Sequence, residues 1–129
     1  MLRYFAHSLT RTPTHSILPQ SVRKMSLNAM AQRLSRKTVL ITGASAGIGR
    51  ATALEFSRSS PDIHLILTAR RIDALKEVAQ QLESESQGNT KVLPVKFDIS
   101  NQDEVRTFLD KLPEEWRAID VLVNNACVD

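Results

Sequence analysis

Eight residues, Thr42-Gly43-Ala44-Ser45-Ala46-Gly47-Ile48-Gly49, have the types and spacing to hold an anion. They follow the apolar run Val39-Leu40-Ile41 and lead into Arg50-Ala51-Thr52-Ala53-Leu54-Glu55, which reads as helix. In a strand–turn–helix order, glycines let the backbone bend sharply and approach a phosphate, because they carry no Cβ. The first N–H groups of the helix lack intrahelical acceptors and carry the positive end of its dipole. The expected chemistry is binding of a nucleotide pyrophosphate, with Gly43, Ser45, Ala46, Gly47, Ile48 and Gly49 as candidate contacts. An NTPase turn of the form G-x-x-x-x-G-K-[ST] does not fit, since Ile48 stands at its second glycine and no Lys-Ser/Thr pair follows. The G-x-G-x-x-G fingerprint fails at Ser45. What stands is Gly43-x-x-x-Gly47-x-Gly49, and a glycine-rich turn with no ligand is the plain alternative.

These residues need a scaffold, and from Lys37 onward the pattern alternates between strand and helix. Thr38–Thr42 is a buried strand, followed by a helix to about Ser59 and a turn at Ser59-Ser60-Pro61-Asp62. Ile63–Thr68 is a second strand, and Leu75, Val78, Ala79 and Leu82 mark the core face of the next helix. Val92–Phe97 is a third strand, confined to an edge or a bulge by Pro94, which has no N–H to donate. Ser100-Asn101-Gln102-Asp103 has capping-box form, so Ser100 is expected to cap a helix to Leu112 with an apolar face of Val105, Phe108, Leu109 and Leu112. Ile119–Val123 is a fourth strand. Alternating strands and helices with right-handed crossovers give an α/β fold, the N-terminal half of a Rossmann doubly wound parallel sheet. Its strand order would be 3-2-1-4, which independently puts the Pro94 strand at an edge.

The net charge of +3 conceals two unlike parts. Residues 1–37 hold seven basic groups and no acid, whereas 38–129 hold ten basic and fourteen acidic residues. A domain without a basic face is not expected to bind nucleic acid. No apolar run approaches the roughly 18–20 residues of a membrane span. Residues 1–24, with Arg3, Arg11 and Arg23 among hydroxyl residues, suit either a mitochondrial transit peptide or a disordered extension of a cytoplasmic protein. In 25–36, Leu27, Met30, Ala31 and Leu34 fall on one helical face, either an amphipathic helix on the domain edge or the end of a presequence. The lone Cys127 allows no internal disulfide, and His7, His15 and His64 share no metal-ligand spacing, so no metal site is expected.

Thr42-Gly-x-x-x-Gly47-x-Gly49, with Asn124-Asn125-Ala126 after the fourth strand, resembles the classical short-chain dehydrogenases/reductases. Thr38–Glu55 and Leu65–Arg71 are most similar to the NADP-dependent 3-hydroxy acid dehydrogenases, which act on L-serine and related acids. The resemblance spans about Leu27 to Ala126, with 37–126 as the NADP-binding half-domain. It implies that Asp98 bonds the adenine amino group beside the Ile99 backbone. It also implies that Asn124 and Asn125 contact the ribose and tie the central strands, and that Ala126 belongs to the same stretch. An exposed turn residue is the alternative for Asp98, and a strand-end turn former is the alternative for the asparagines.

The cofactor choice has a physical argument beside the resemblance. An NAD site places a carboxylate on the ribose 2′-OH about twenty residues beyond the turn. Here Ala69 stands there, with Arg70 and Arg71 next, and a guanidinium offers forked donors to the 2′-phosphate of NADP. Two solvated arginines at a helix start are the alternative.

The sequence departs from the family at its last residues. Cys127 stands where the family has glycine, then Val128 and Asp129. The family's catalytic serine and Tyr-x-x-x-Lys have no counterpart, since the sole tyrosine, Tyr4, is followed four residues on by Ser8. No catalytic residue is therefore expected, nor turnover by these 129 residues alone. Weak or no NADP affinity, marginal stability and an open apolar edge at Val121 and Val123 are expected too. Homo-oligomers are possible in the full-length family. A non-catalytic NADP(H)-binding or interaction module that pairs with a full-length subunit is the second reading.

Overall fold

The computed structural model describes Ala29, residues 31–60 and residues 62–127. Strands β1 (Thr38–Thr42), β2 (His64–Ala69), β3 (Lys91–Lys96) and β4 (Val121–Val123) form one parallel sheet in the order β3-β2-β1-β4. Helices α1 (Gly47–Ser59), α2 (Ile72–Glu85) and α3 (Gln102–Lys111) occupy the three crossovers, the last completed by a 3-10 turn at Glu114–Trp116. Pleating sends alternate side chains to opposite faces. Val39, Ile41, Leu65 and Leu67 pack with Ala53 of α1 and Leu75, Val78 and Leu82 of α2. Leu40 and Ile66 pack on the other side with Phe108 of α3 and Leu112. All five residues of β1 are buried, as a central strand covered on both faces must be. This is half of a doubly wound Rossmann sheet, in the strand order expected, with Pro94 on the edge strand opposite Leu67.

The helix expected to start from a Ser100 cap begins one residue later. Ser100 Oγ donates to Asp98 Oδ1 at 2.6 Å, so the hydroxyl is already committed. Asn101 caps instead, its Oδ1 accepting the N–H groups of Asp103 (3.1 Å) and Glu104 (3.3 Å). Of the expected apolar face of that helix, Phe108 and Leu112 are buried, but Val105 and Leu109 remain 47% and 51% exposed. α3 meets the sheet along one flank, and a helical stripe does not say how much of itself is covered.

The fourth strand is shorter than expected. Asp120 N–H bonds Thr38 O at 2.9 Å while its carboxylate accepts Thr38 N–H at 2.9 Å, and Ile119 N–H turns back to Arg117 O. Regular pairing therefore starts at Val121. β4 is the open edge strand expected; on it Val121 and Val123 are half-buried against the α1–α2 cluster, and the exposed apolar side chain is Leu122, on the opposite face.

Residues 31–34 are helical, and Leu34 packs against the α1–α2 cluster. The backbone leaves this helix through Arg36 at φ 56°. The leader 1–24, Leu27, Met30, Pro61, Val128 and Asp129 lie outside the described residues. No described helix is long and apolar enough to cross a membrane.

Candidate functional site

The glycine turn joins β1 to α1 and owes its shape to close contacts. Gly43 sits at φ +66°, and a Cβ there would lie 3.0 Å from Ala126 Cα. A Cβ on Gly49 would lie 2.3 Å from Gly43 O and 2.6 Å from Asn125 Nδ2, so only glycine lets α1 start this near the strand end. Gly47 is at φ +56°, but a Cβ there would meet nothing within 4 Å: its side is open. Ala44 N–H anchors the turn to Thr68 O at 3.0 Å.

α1 begins without a cap of its own. Ala46 occupies the N-cap position with no side-chain acceptor to offer, and the first turn contains no acid. Among the described residues, no side chain caps the helix's N-terminal N–H groups, and no acid in its first turn offsets the positive dipole end. Ile48 beside them is 77% exposed.

The turn opens onto a cleft of about 650 Å³ at the carboxyl ends of the strands. Gly43, Ser45, Arg70, Arg71, Asp98, Ile99 and Ala126, drawn from four separate segments, all line it. Ala46, Gly47, Ile48 and Gly49 carry on from Ser45 into α1, outside that lining. Asn124 is exposed and also outside it. Among the described residues, neither Arg70 nor Arg71 has an ion-pair partner. Arg71 is the N-cap residue of α2 and makes no capping bond.

Asp98 is held as a carboxylate. Its Oδ1 accepts the Ser100 hydroxyl at 2.6 Å and the Ser100 N–H at 3.0 Å. These bonds, the hydroxyl first, pull its pKa below the usual carboxylate value, and the charge of Arg70 adds a smaller push the same way. Asp98 is thus both a turn former and a cleft residue.

Sequence reasoning grouped Asn124 with Asn125, but the two differ. Asn125 Nδ2 donates to Thr42 O and Gly43 O, each at 3.2 Å, tying β4 to the glycine turn. Thr42 Oγ1 accepts the N–H groups of Asn125 and Ala126, each at 3.0 Å. The role of Thr42 had no signal beyond its place before Gly43. Thr68 was missed as well: its hydroxyl is buried with no hydrogen-bond partner among the described residues, and the residue lines the cleft.

An uncapped helix start, an open glycine, two unpaired guanidiniums and an orphaned hydroxyl suit a phosphate-bearing ligand better than an apolar one. Among the described residues, no cluster of three His, Cys, Asp or Glu could hold a metal ion.

The family model for short chain dehydrogenases matches residues 37–129. The NADP-dependent 3-hydroxy acid dehydrogenase of Schizosaccharomyces pombe is 46% identical over 94 residues, 73% of this chain and 35% of its own length. The crystal structure of L-sorbose reductase from Gluconobacter frateurii, complexed with NADPH and L-sorbose, superposes with a TM-score of 0.65 at 34% identity. That match covers 74% of this chain and 35% of the reductase. A metagenomic short-chain oxidoreductase in complex with NADP also gives a TM-score of 0.65 at 30% identity, covering 74% of this chain and 41% of its own. The chain spans about a third of the length of the curated relatives it matches.

Proposed function

The chain belongs to the short-chain dehydrogenase family, and on that premise we propose that residues 37–126 are the NADP(H)-binding half of an oxidoreductase acting on a hydroxyl or carbonyl group. The observation that carries the reading is the pair Arg70 and Arg71 lining the cleft just beyond β2. An NAD site needs a carboxylate in that place, and this chain offers only cations. The start of α1 would hold the pyrophosphate, with the open Gly47 allowing close approach. Arg70, supported by Arg71, would hold the 2′-phosphate. The Asp98 carboxylate, fixed by Ser100, would accept a hydrogen bond from the adenine amino group, with Ile99 beside it. Asn125 and Ala126 keep the ribose side of the cleft in register with the turn. NADP(H), when bound, supplies or accepts a hydride.

The identity with the S. pombe enzyme supports a 3-hydroxy acid as the substrate class of the parent activity. These 129 residues contain no Tyr-x-x-x-Lys, so hydride transfer would need residues they do not supply. Titrating the purified chain with NADPH and NADH, read by nicotinamide fluorescence, tests the binding half. Preference for NADPH with no turnover of L-serine or 3-hydroxy acids is expected; equal affinity for the two overturns the cofactor reading, and turnover overturns the inactivity.

One observation favours a second reading, a non-catalytic module that pairs with a full-length subunit. Val105 and Leu109 on α3 and Leu122 on β4 are large, apolar and each about half exposed. Co-purification with a full-length homologue, lost when these three become lysine, would support it. The acid-free leader supports mitochondrial import, with the cytoplasm as the alternative; a fluorescent fusion with and without residues 1–24 separates them.

A further inference from the structure

A second cleft, of about 610 Å³, adjoins the first along the outer edge of the sheet. It is lined by Arg70, Lys96, Phe97, Asp98, Glu104 and Lys111, and shares Arg70, Phe97 and Asp98 with its neighbour. Its two carboxylates are already engaged. Asp98 accepts both donors of Ser100, and Glu104 accepts Asp98 N–H at 2.9 Å and Asn101 Nδ2 at 3.3 Å. Its three cations have no ion-pair partner among the described residues. The groove therefore holds three cations against two carboxylates, a net positive charge, with the carboxylates turned towards neutral donors rather than towards the cations.

Arg70 stands at the junction of the two clefts, but its field is shared. The ionised Asp98 lies close enough for the Arg70 charge to lower its pKa. A phosphate monoester carries a charge of about −1.5 to −2 at neutral pH, more than the partly offset Arg70 balances alone, and Arg71 meets it from the first cleft only. Lys96 is the next cation in reach: it ends β3, its backbone paired beside Ala69, one residue before Arg70. Its side chain is exposed and unpaired, with a long flexible stem.

We propose that Lys96, on the edge strand, is a specificity-determining residue for the adenosine 2′-phosphate, clamping it together with Arg70 from the second cleft. This deepens the NADP reading and rests on it. Lys96 acts as a point charge, so its contribution is tuned by charge and salt rather than by forked geometry. Lys111 lines the same groove seven residues, about 10 Å of helix, beyond Glu104, and is not part of the clamp.

The test uses the full chain and two adenosine probes, 2′,5′-ADP and 5′-ADP, measured by calorimetry. Lys96→Gln should weaken 2′,5′-ADP about three- to tenfold and leave 5′-ADP unchanged, while Lys111→Gln changes neither. Lys96→Arg should restore most of the preference, and the wild-type preference should fall as salt rises. An unchanged preference in Lys96→Gln, or equal weakening of both probes, overturns the clamp while the NADP reading stands. A wild-type chain that does not distinguish the probes, or binds neither, overturns the NADP reading and the clamp with it.

Discussion

Thr42 Oγ1 accepts two successive backbone N–H groups, those of Asn125 and Ala126, each at 3.0 Å. In return the Asn125 side chain donates to the carbonyls of Thr42 and Gly43. Two residues more than eighty positions apart thus fix the end of β4 against the glycine turn. Thr42→Val keeps the shape but strands two part-buried donors. It should cost about 1–3 kcal/mol, with Thr42→Ser close to wild type. Urea denaturation of both variants checks this; equal losses would mean the methyl group, not the hydroxyl, matters.

The glycines should separate by mechanism. Gly49→Ala pushes a Cβ into Gly43 O, so α1 must move; a loss of about 3 kcal/mol or more is expected. Gly47→Ala meets no neighbour but places alanine at φ +56°, costing about 1–2 kcal/mol. Its larger effect should be on NADPH binding, because the added methyl stands where a phosphate would approach. Denaturation and NADPH titration on both variants decide it, and Gly49→Ala folding normally would contradict the packing argument.

Much of this was legible in the sequence, for reasons that differ by residue. The strand order followed from the βα alternation, and Pro94 marked the edge because a missing N–H is a local fact with a global consequence. Arg70, Arg71 and Asp98 could be placed because strand ends in such sheets converge. The cap went to Asn101 rather than Ser100, since two adjacent residues can both cap and only the geometry of Asp98 decides which is free. Val105 and Leu109 share the period of Phe108 and Leu112, so spacing could not say which half of the stripe would be covered. Lys96 carries no signal in the sequence, and only the groove beside it marks it out.

Arg70 and Arg71 should not be equivalent. Arg70 lines both clefts, Arg71 only the first. Arg70→Gln should reduce the preference for NADPH over NADH about tenfold or more, and Arg71→Gln by a smaller factor. Fluorescence titration of both nucleotides against each variant measures the ratio. The reverse ranking would move the 2′-phosphate to the start of α2.

At the opposite end of the sheet, Asp120 joins the starts of β4 and β1. Its carboxylate accepts Thr38 N–H at 2.9 Å and the Lys37 ammonium at 3.0 Å. These bonds, the backbone one first, hold its pKa below the ordinary 3.8. Because the folded pKa is depressed, the stabilisation is fully present above that value and disappears as pH falls through the lower folded one. Asp120→Asn should therefore be less stable than wild type at about pH 7, with the gap closing as the pH falls below 3.8 and through the lower folded value. A gap independent of pH in urea melts would place the effect in packing instead.

The exposed apolar residues give the sharpest test of how much of the α3 side is core. Leu40 and Ile66 are buried beneath Phe108, whereas Leu122, next to Leu40 in register on β4, is 55% exposed. Ile66→Ala should cost about 2–5 kcal/mol through lost contacts and a residual cavity. Leu122→Lys and Leu109→Lys replace apolar surface that already faces water rather than core surface, so each should change stability by less than about 0.5 kcal/mol. Solubility should rise with each lysine, since an apolar residue on an open edge strand favours association. If Leu122→Lys unfolds the chain as Ile66→Ala does, then Leu122 is covered in solution, and sedimentation of the wild type would show the larger species that covers it.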